Sequence, residues 1–308
     1  MSEQSTPSSA TAPFDRRLLV RRRSRALAEV EAGRARQATF LLERVAQDLV
    51  DRLAAVRREF ATVLVLGAYA GATGRIVRAA LPRALVIETE LCEPVARRCG
   101  GPVVVADEEA LPFRDGSFDL VVSALSLQMV NDLPGVLAQC RRALKPDGLL
   151  LAAITGGRTL AELREALLVA EAELTGGAAP RVAPVADVRD LGALLQRTGF
   201  ALPVADSDVV TVTYDSPLEV LRDLRAMAAT SVLVDRPRRP LRRDVLMRAL
   251  AIYTERFALP GGRVPATFEI LTLTGWVPHE SQQKPLQPGS ASARLADALG
   301  VTEGKLGR

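Results

Sequence analysis

The chain has 308 residues, 48% of them hydrophobic and 25% charged, and a formal net charge of +4, which is the composition of an ordinary folded protein. No run approaches the roughly 18 apolar residues of a membrane-spanning helix. The three cysteines fit neither a zinc pattern nor a disulfide framework, and the one histidine excludes a two-histidine iron site built from this chain alone, so we expect a reducing compartment and no metal site.

The N-terminus divides into a polar tail and a basic helical segment. Residues 1–13 are rich in Ser, Thr, Ala and Pro, which is typical of a disordered tail. Residues 14–58 form the predicted helical segment, and its first part, DRRLLVRRRSR, is strongly basic. Its periodic leucines and lack of interleaved aromatic residues favour a solvated helix face, so we expect no nucleic-acid partner. An electrostatic patch that contacts a membrane surface peripherally is the second interpretation.

Residues 59–284 are predicted to form one α/β domain. Short apolar runs, bounded by Gly, Pro, Asp or Ser, indicate strands buried on both faces, and amphipathic helical segments separate them. The runs are TVLVLG, ALVIE, PVVVA, FDLVVSAL and GLLLAAI. This alternation predicts a Rossmann-like, mostly parallel sheet with helices on both faces. We expect helical insertions at about 158–180 and 216–259, and a loose tail at 285–308.

The first predicted strand runs into the loop GAYAG, and a helix follows directly. Glycines let a ligand approach the main chain, and the helix N-terminus presents N–H groups and a positive dipole end. The predicted cofactor contacts in this loop are Gly67, Ala68, Tyr69 and Gly71. Taken alone, the loop fits a tight strand–helix turn about as well as a cofactor site.

Acidic side chains follow the next two predicted strands. Glu90 closes the second strand, where a carboxylate can accept hydrogen bonds from ribose hydroxyls. The loop and Glu90 fit NAD and S-adenosylmethionine equally well. Asp107 and Glu108 follow the third strand, where an acid can reach an adenine amino group, although Asp107 also suits a helix N-cap. Ser123 ends the fourth strand and completes the predicted cofactor contacts.

The segment ADEEALPFRDGSFDLVVS and the later RRALKPDGLLLAA resemble the class I S-adenosylmethionine methyltransferases. The resemblance covers about residues 60–155 and implies that fold and S-adenosylmethionine as the cofactor. Two positions depart from the pattern. Val65 stands where the family has an acid that anchors the cofactor's ammonium end, and Tyr69 replaces the middle glycine of the loop. Loss of one charge-assisted contact typically weakens binding by about 1.5–3 kcal/mol.

Three more segments resemble a single family within that class. They are SLQMVNDLPGVL, ITGGRTLAELREALLVAEAE and VPATFEILTLTGWVPHESQQKPLQPGSA. The family is that of the mitochondrial complex I assembly factor that acts as a protein arginine hydroxylase, with its alphaproteobacterial relatives. The resemblance runs from about Phe14 to Ala291. It implies modification of an arginine on a respiratory complex I subunit, by methyl transfer or hydroxylation, in the bacterial cytoplasm or, for a eukaryotic chain, the mitochondrial matrix.

The predicted substrate pocket follows the fourth strand and includes residues near the C-terminus. Its members are Gln128, Asn131, Asp132, Trp276 and His279. Asn131 and Asp132 could accept a guanidinium, although Asp132 fits a helix N-cap slightly better. Trp276 and His279 suit either a substrate surface or an aromatic plug on the sheet. No residue is identified as catalytic.

Two other functions stay open at this point. Val65 and Tyr69 favour a non-catalytic assembly chaperone whose loop has degenerated, whereas Glu90 and Asp107 oppose that interpretation. A carboxyl methyltransferase of the biotin pathway shares the core pattern and is the nearest enzymatic alternative.

Overall fold

The computed structural model describes residues 12–183, 187–282 and 300. Most of the two predicted tails lies outside the described residues. The chain divides into two compact units, Met1–Pro278 and His279–Arg308. The first unit carries the sheet and its helices.

A seven-stranded sheet with the order β3-β2-β1-β4-β5-β7-β6 forms the centre of this unit. Its strands are β1 (Thr62–Leu66), β2 (Leu85–Glu90), β3 (Val103–Val105), β4 (Phe118–Ala124), β5 (Leu144–Thr155), β6 (Ala201–Tyr214) and β7 (Val264–Trp276). The first five strands pair in parallel, and β7 lies antiparallel between β5 and β6. The predicted Rossmann-like, mostly parallel fold is therefore confirmed.

Helices cover both faces of the sheet. They are α1 (Arg16–Glu31), α2 (Phe40–Leu53), α3 (Ala72–Ala80), α4 (Glu93–Ala96), α5 (Leu133–Ala143), α6 (Ala161–Thr175), α7 (Val188–Arg197), α8 (Pro217–Ala226) and α9 (Arg243–Phe257). Side chains of α2, α6, α8 and α9 fill the core on one face, and those of α5 and α7 fill the core on the other. Alternate residues of β1 enter the two cores, Val63 and Val65 on one side and Leu64 and Leu66 on the other, because strand side chains alternate.

The N-terminal segment forms two helices, α1 and α2, separated by residues 32–39. Asp15 caps α1 by accepting a hydrogen bond from the Leu18 N–H at 2.8 Å. Just before it, Phe14 forms an isolated antiparallel bridge with Leu233 and packs in a small apolar cluster. These contacts hold α1 against the rest of the unit. Among the helices of the described residues, none is long and apolar enough to cross a bilayer.

Parallel strands end at one edge of the sheet, and this edge positions the candidate site. Leu66 at the end of β1 is in register with Thr89 of β2 and Ser123 of β4. The loops that follow these strands therefore lie side by side, as the rule for ligand sites in open α/β sheets requires.

At the opposite edge, Asp119 joins three strands. Its carboxylate accepts hydrogen bonds from the N–H groups of Ala61 and Thr62 at 3.1 and 2.8 Å, and from Lys145 Nζ at 3.0 Å. Burial alone would raise the pKa of Asp119, but the hydrogen bonds from Lys145 and Thr62 outweigh it and hold that pKa below its ordinary value.

Replacement of Asp119 by Asn should lower the free energy of unfolding at pH 7 by about 1.5–3 kcal/mol, because charged hydrogen bonds are lost. A carboxyl group whose pKa is lower in the folded state stabilises the fold fully at pH values above its unfolded-state pKa of about 3.9. That contribution is lost as the pH falls from this value through the lower folded-state pKa. The difference between the two chains should therefore shrink in acid. Urea unfolding at several pH values measures it.

Asp115→Asn is the matched control, because Asp115 pairs with Arg142 while its side chain is 73% exposed. Exposed ion pairs contribute little, so this change should alter stability by less than about 1 kcal/mol. Equal effects of the two substitutions would contradict the assigned role of Asp119.

Candidate functional site

The loop after β1 has an unusual backbone. Gly67 and Gly71 have φ values of +67° and +78°, and Tyr69 and Ala70 have φ values of +42° and +55°. A left-handed conformation costs a non-glycine residue about 1–2 kcal/mol. Such strain persists only where the surroundings impose it, and it gathers at functional sites. Gly71 is the N-cap residue of α3.

Gly67 lies directly under two side chains from neighbouring loops. A Cβ built on Gly67 would lie 2.1 Å from Ser126 Oγ and 3.5 Å from Glu108 Oε1. Ser126 Oγ in turn donates a hydrogen bond to Glu108 at 2.6 Å. The end of β1, the segment after β3 and the segment after β4 therefore meet at this glycine.

Tyr69 links the loop to Glu90 and to α8. Its N–H donates to Glu90 Oε2 at 3.0 Å, and its hydroxyl donates to the carbonyl of Ala226 at 3.0 Å. Burial raises the pKa of Tyr69 to about 12, so the hydroxyl keeps its proton at neutral pH. Ala68, which precedes Tyr69, makes a main-chain contact: its N–H donates to the carbonyl of Thr89 at 2.9 Å.

Arg16 of α1 binds both acids that follow β3. Its guanidinium donates to Asp107 Oδ1 at 2.7 Å and pairs with Glu108, and it also reaches the Met129 carbonyl at 3.1 Å. Burial alone would lower the pKa of Arg16, but Glu108 and Asp107 raise it above its ordinary value. Asp107 Oδ1 also accepts from the Glu109 N–H at 2.9 Å, so it stabilises the local turn as well.

Arg23 of α1 binds the acid that ends β2. It is 7% exposed, and its Nη1 donates to Glu90 Oε1 at 2.5 Å. Burial alone would lower the pKa of Arg23, but Glu90 and then Glu108 raise it, so the guanidinium stays charged. The Cys92 N–H also donates to Glu90 Oε1, at 3.1 Å.

The predicted cofactor contacts thus gather at one edge, with two arginines among them. Ribose and adenine groups would need Glu90 and Asp107 as acceptors. Both carboxylates pair with α1, and Ser126 Oγ lies over Gly67. In this arrangement the acids predicted to hold the cofactor make ion pairs within the chain.

Val65, which departs from the family pattern, and Ser123, a predicted cofactor contact, lie beneath this edge. Val65 packs fully buried in the core with α2, so no carboxylate anchors an ammonium group here. Ser123 is fully buried, and its Oγ has no hydrogen-bond partner among the described residues.

A mostly apolar cavity of about 550 Å³ adjoins the loop on the side of α6 and α8. Tyr69 and Gln128 line it together with Leu, Met and Phe side chains. Gln128 Nε2 donates to the carbonyl of Leu125 at 2.7 Å, and Leu125, whose φ is +50°, lines the same wall. Gln128 is therefore the predicted substrate-pocket residue that the structure places on a cavity.

Two other predicted pocket residues have structural partners within the first unit, and a third belongs to the second unit. Asn131 accepts from the Phe14 N–H at 2.8 Å and donates to its carbonyl, so it holds the N-terminal segment. Asp132 caps α5 by accepting from the Gly135 N–H at 2.8 Å. His279 belongs to the second unit, where its Nδ1 lies 2.7 Å from Ser281 Oγ.

The prediction that Trp276 lines the substrate pocket is wrong. It ends β7, and it pairs with Leu149 and Ala201, at the edge where the parallel strands begin. Because β7 is antiparallel to β5, its last residue lies at the edge opposite to Gly67. Trp276 therefore does not line the pocket.

Arg16 and Arg23 were missed as site residues. Their spacing carries the signal: together with Leu19 and Ala26 they repeat at helical intervals, and Leu19, Arg23 and Ala26 are the buried residues of α1. Arg17 and Arg21, which come between them, are exposed.

The strand order, the loop and the acids after β2 and β3 define a methyltransferase-fold protein. Residues 50–152 match the family model described as a methyltransferase domain. Among solved structures, the YcgJ protein of Bacillus subtilis superposes with a TM-score of 0.52 at 15% identity, over 76% of this chain and 98% of that one, which shows the shared fold alone.

The chain belongs to the family of arginine-hydroxylase NDUFAF5. The human mitochondrial protein of that name is 36% identical over 301 residues, which are 95% of this chain and 86% of the human protein. The zebrafish (Danio rerio) protein is 48% identical over 63% of this chain, and the match spans 60% of the zebrafish protein. A malonyl-[acyl-carrier protein] O-methyltransferase of Halorhodospira halophila is 37% identical over 86% of this chain and 90% of that protein.

Replacement of Gly67 by Ala should destabilise the fold strongly. The change adds about 1–2 kcal/mol of left-handed backbone strain, and the clash with Ser126 adds about 1–3 kcal/mol of overpacking. Chemical denaturation measures the resulting decrease in the free energy of unfolding.

Gly33→Ala is the matched control, because Gly33 has a φ of +68° and an added Cβ there would meet no heavy atom within 4 Å. This control should lower the free energy of unfolding by the backbone strain alone. If the two substitutions have equal effects, the close approach of Ser126 to Gly67 is not present in solution.

Proposed function

We propose that this protein is an enzyme that modifies an arginine side chain of another protein, by hydroxylation, with a subunit of respiratory complex I as the substrate. The observation that carries the proposal is the match over most of the chain to relatives named arginine-hydroxylase. Methyl transfer to the same arginine is the variant of this reaction that the fold would equally serve.

The proposed ligand of the sheet edge is S-adenosylmethionine. Glu90 and Asp107 would accept hydrogen bonds from its ribose and adenine, and Gly67 would let it approach the main chain at the end of β1. The density of acid at this edge suits a ligand that carries positive charge. When bound, the cofactor supplies an activated methyl group on a sulfonium.

The apolar cavity is the proposed place for the substrate side chain. It borders Tyr69, so a group inside it lies next to the loop. Arginine has an aliphatic stem of three methylenes, and an apolar wall suits that stem. Gln128 shapes the wall through its hydrogen bond to Leu125.

Hydroxylation of a carbon replaces a C–H bond by a C–OH bond, which is a two-electron oxidation. With dioxygen as the oxidant, one oxygen atom enters the product and the other leaves as water. The balance needs two further electrons and two protons. A reductant must therefore reach the site from outside the chain.

A second candidate function is methyl esterification of an acyl-chain carboxylate. The cavity favours it, because an acyl chain is apolar along its whole length, and the Halorhodospira relative carries the corresponding name. Arg225 lies at the cavity as a cation that could meet a carboxylate.

Deletion of the gene from the organism that encodes it tests both candidates. Mass spectrometry of complex I subunits should show one arginine-containing peptide that loses the mass of an oxygen atom in the deletion strain and regains it on complementation. Loss of a methylene mass would instead assign methyl transfer.

Complementation with Gln128→Leu should reduce this modification at least about tenfold, because Leu cannot hold Leu125 in its conformation. Gln47→Leu is the control, since Gln47 is exposed on α2. Unmodified complex I peptides in the wild type together with methyl esters on an acyl carrier would replace the proposal by the second candidate. Loss of complex I with neither product would indicate an assembly chaperone.

A further inference from the structure

Helix α1 is bound to the sheet edge by charge more than by apolar contact. Of its 16 residues, only Leu19, Arg23 and Ala26 are buried. Arg23 is one of these three, and Arg16, at 12% side-chain exposure, pairs with Asp107 and Glu108. The helix therefore inserts two guanidinium groups where an ordinary amphipathic helix would insert aliphatic ones.

The two guanidinium groups supply the donors that a nucleoside ligand would supply. Glu90 accepts from Arg23 the kind of hydrogen bond that a ribose hydroxyl would give, and Asp107 accepts from Arg16 the kind that an adenine amino group would give. Glu90 Oε1 already accepts from Arg23 and the Cys92 N–H, and Asp107 Oδ1 from Arg16 and the Glu109 N–H, so both lone pairs of each oxygen are taken while α1 is docked. Docked α1 and such a ligand therefore exclude each other.

Removal of an arginine from these buried ion pairs costs more than its replacement by other hydrogen-bond donors. Removal of one partner leaves Glu90 or Glu108, each 1% exposed, as an uncompensated buried charge. A ligand whose hydroxyl and amino groups donate to the same carboxylates would keep their oxygens hydrogen-bonded, so this exchange would cost less than removal of the arginines alone. Helix α1 should thus stay docked until a ligand with matching donors takes its place.

We propose that α1 is an intramolecular competitor of the cofactor: Arg16 and Arg23 occupy the carboxylates of the site, and S-adenosylmethionine binds only when α1 withdraws. This inference rests on the proposed function in one respect, the choice of S-adenosylmethionine as ligand. It adds a closed state of the site that the chain carries within itself.

A reversible cross-link tests the competition directly. Ser24 Oγ of α1 lies 3.1 Å from Cys92 Sγ, and Cys92 follows Glu90 by two residues. In the Ser24→Cys chain, a disulfide to Cys92 would fix α1 over the acids, since the two sulfur atoms would need only a small approach. Peptide mapping confirms the bond.

Titration calorimetry with S-adenosylmethionine then compares the same chain in two states. The oxidised chain should bind at least about tenfold more weakly than the reduced chain, and the reduced chain should match the wild type. Equal affinity in the two states overturns the proposal, because α1 would then not need to withdraw.

A second variant approaches the question from the other side. Arg16→Gln with Arg23→Gln removes the competing cations and should tighten S-adenosylmethionine binding about ten- to a hundredfold. Arg17→Gln with Arg21→Gln is the control, since it makes the same charge change at exposed positions of the same helix. This control should bind as the wild type does.

If the inner double variant does not fold, hydrogen exchange of the wild type decides. Saturating S-adenosylmethionine should increase amide exchange across residues 16–31, and unchanged exchange on binding overturns the proposal. No binding by any of these chains also overturns it. The complex I peptide masses report separately on the proposed function, so either conclusion can fail without the other.

Discussion

Three carboxylates at one edge of the sheet need hydrogen-bond donors, and the structure around them is organised by that need. Glu90 and Glu108 are each 1% exposed, and Asp107 is next to Glu108 in the chain. A buried carboxylate without a partner is strongly unfavourable. Strand order brings these acids together, so the fold must supply donors to them. Arg16 and Arg23 supply donors, and the Asn131–Phe14 hydrogen bonds and the Phe14–Leu233 bridge bring α1 to the edge where they do so.

Much of this arrangement could be predicted from the sequence, because it depends on local patterns. The apolar runs of β1 to β5 are short and clearly bounded, so the parallel sheet followed from them. The acids at 90, 107 and 108 come at strand ends, and parallel strands place such ends at one edge. Asp132 was included in the predicted pocket, and its alternative role as a helix N-cap could be predicted for a local reason, since its partner Gly135 is only three residues away.

What could not be predicted depends on contacts between distant parts of the chain. An arginine-rich helix ordinarily faces solvent, and nothing near residues 16–23 shows that acids 67 to 92 positions away will receive two of them. Asn131 has the chemistry of a guanidinium acceptor, but a backbone segment 117 residues away takes both of its hydrogen bonds. The prediction for Trp276 was wrong for a topological reason. The position of Trp276 depends on the direction of β7 in the sheet, which the residues of β7 do not specify.

Neither Val65 nor Tyr69 closes the site by itself. Val65 removes one anchoring charge, but its side chain fills the core and takes no space at the edge. Tyr69 still presents its N–H to Glu90, and its ring, fixed through Ala226, lines both the apolar cavity and a second cavity of about 550 Å³ beside α1. The side chains that pair with the acids are Arg16 and Arg23 of α1. A helix held mainly by exchangeable ion pairs can leave, whereas a substituted loop residue cannot, so closure of this site is a property of the docked helix and is reversible.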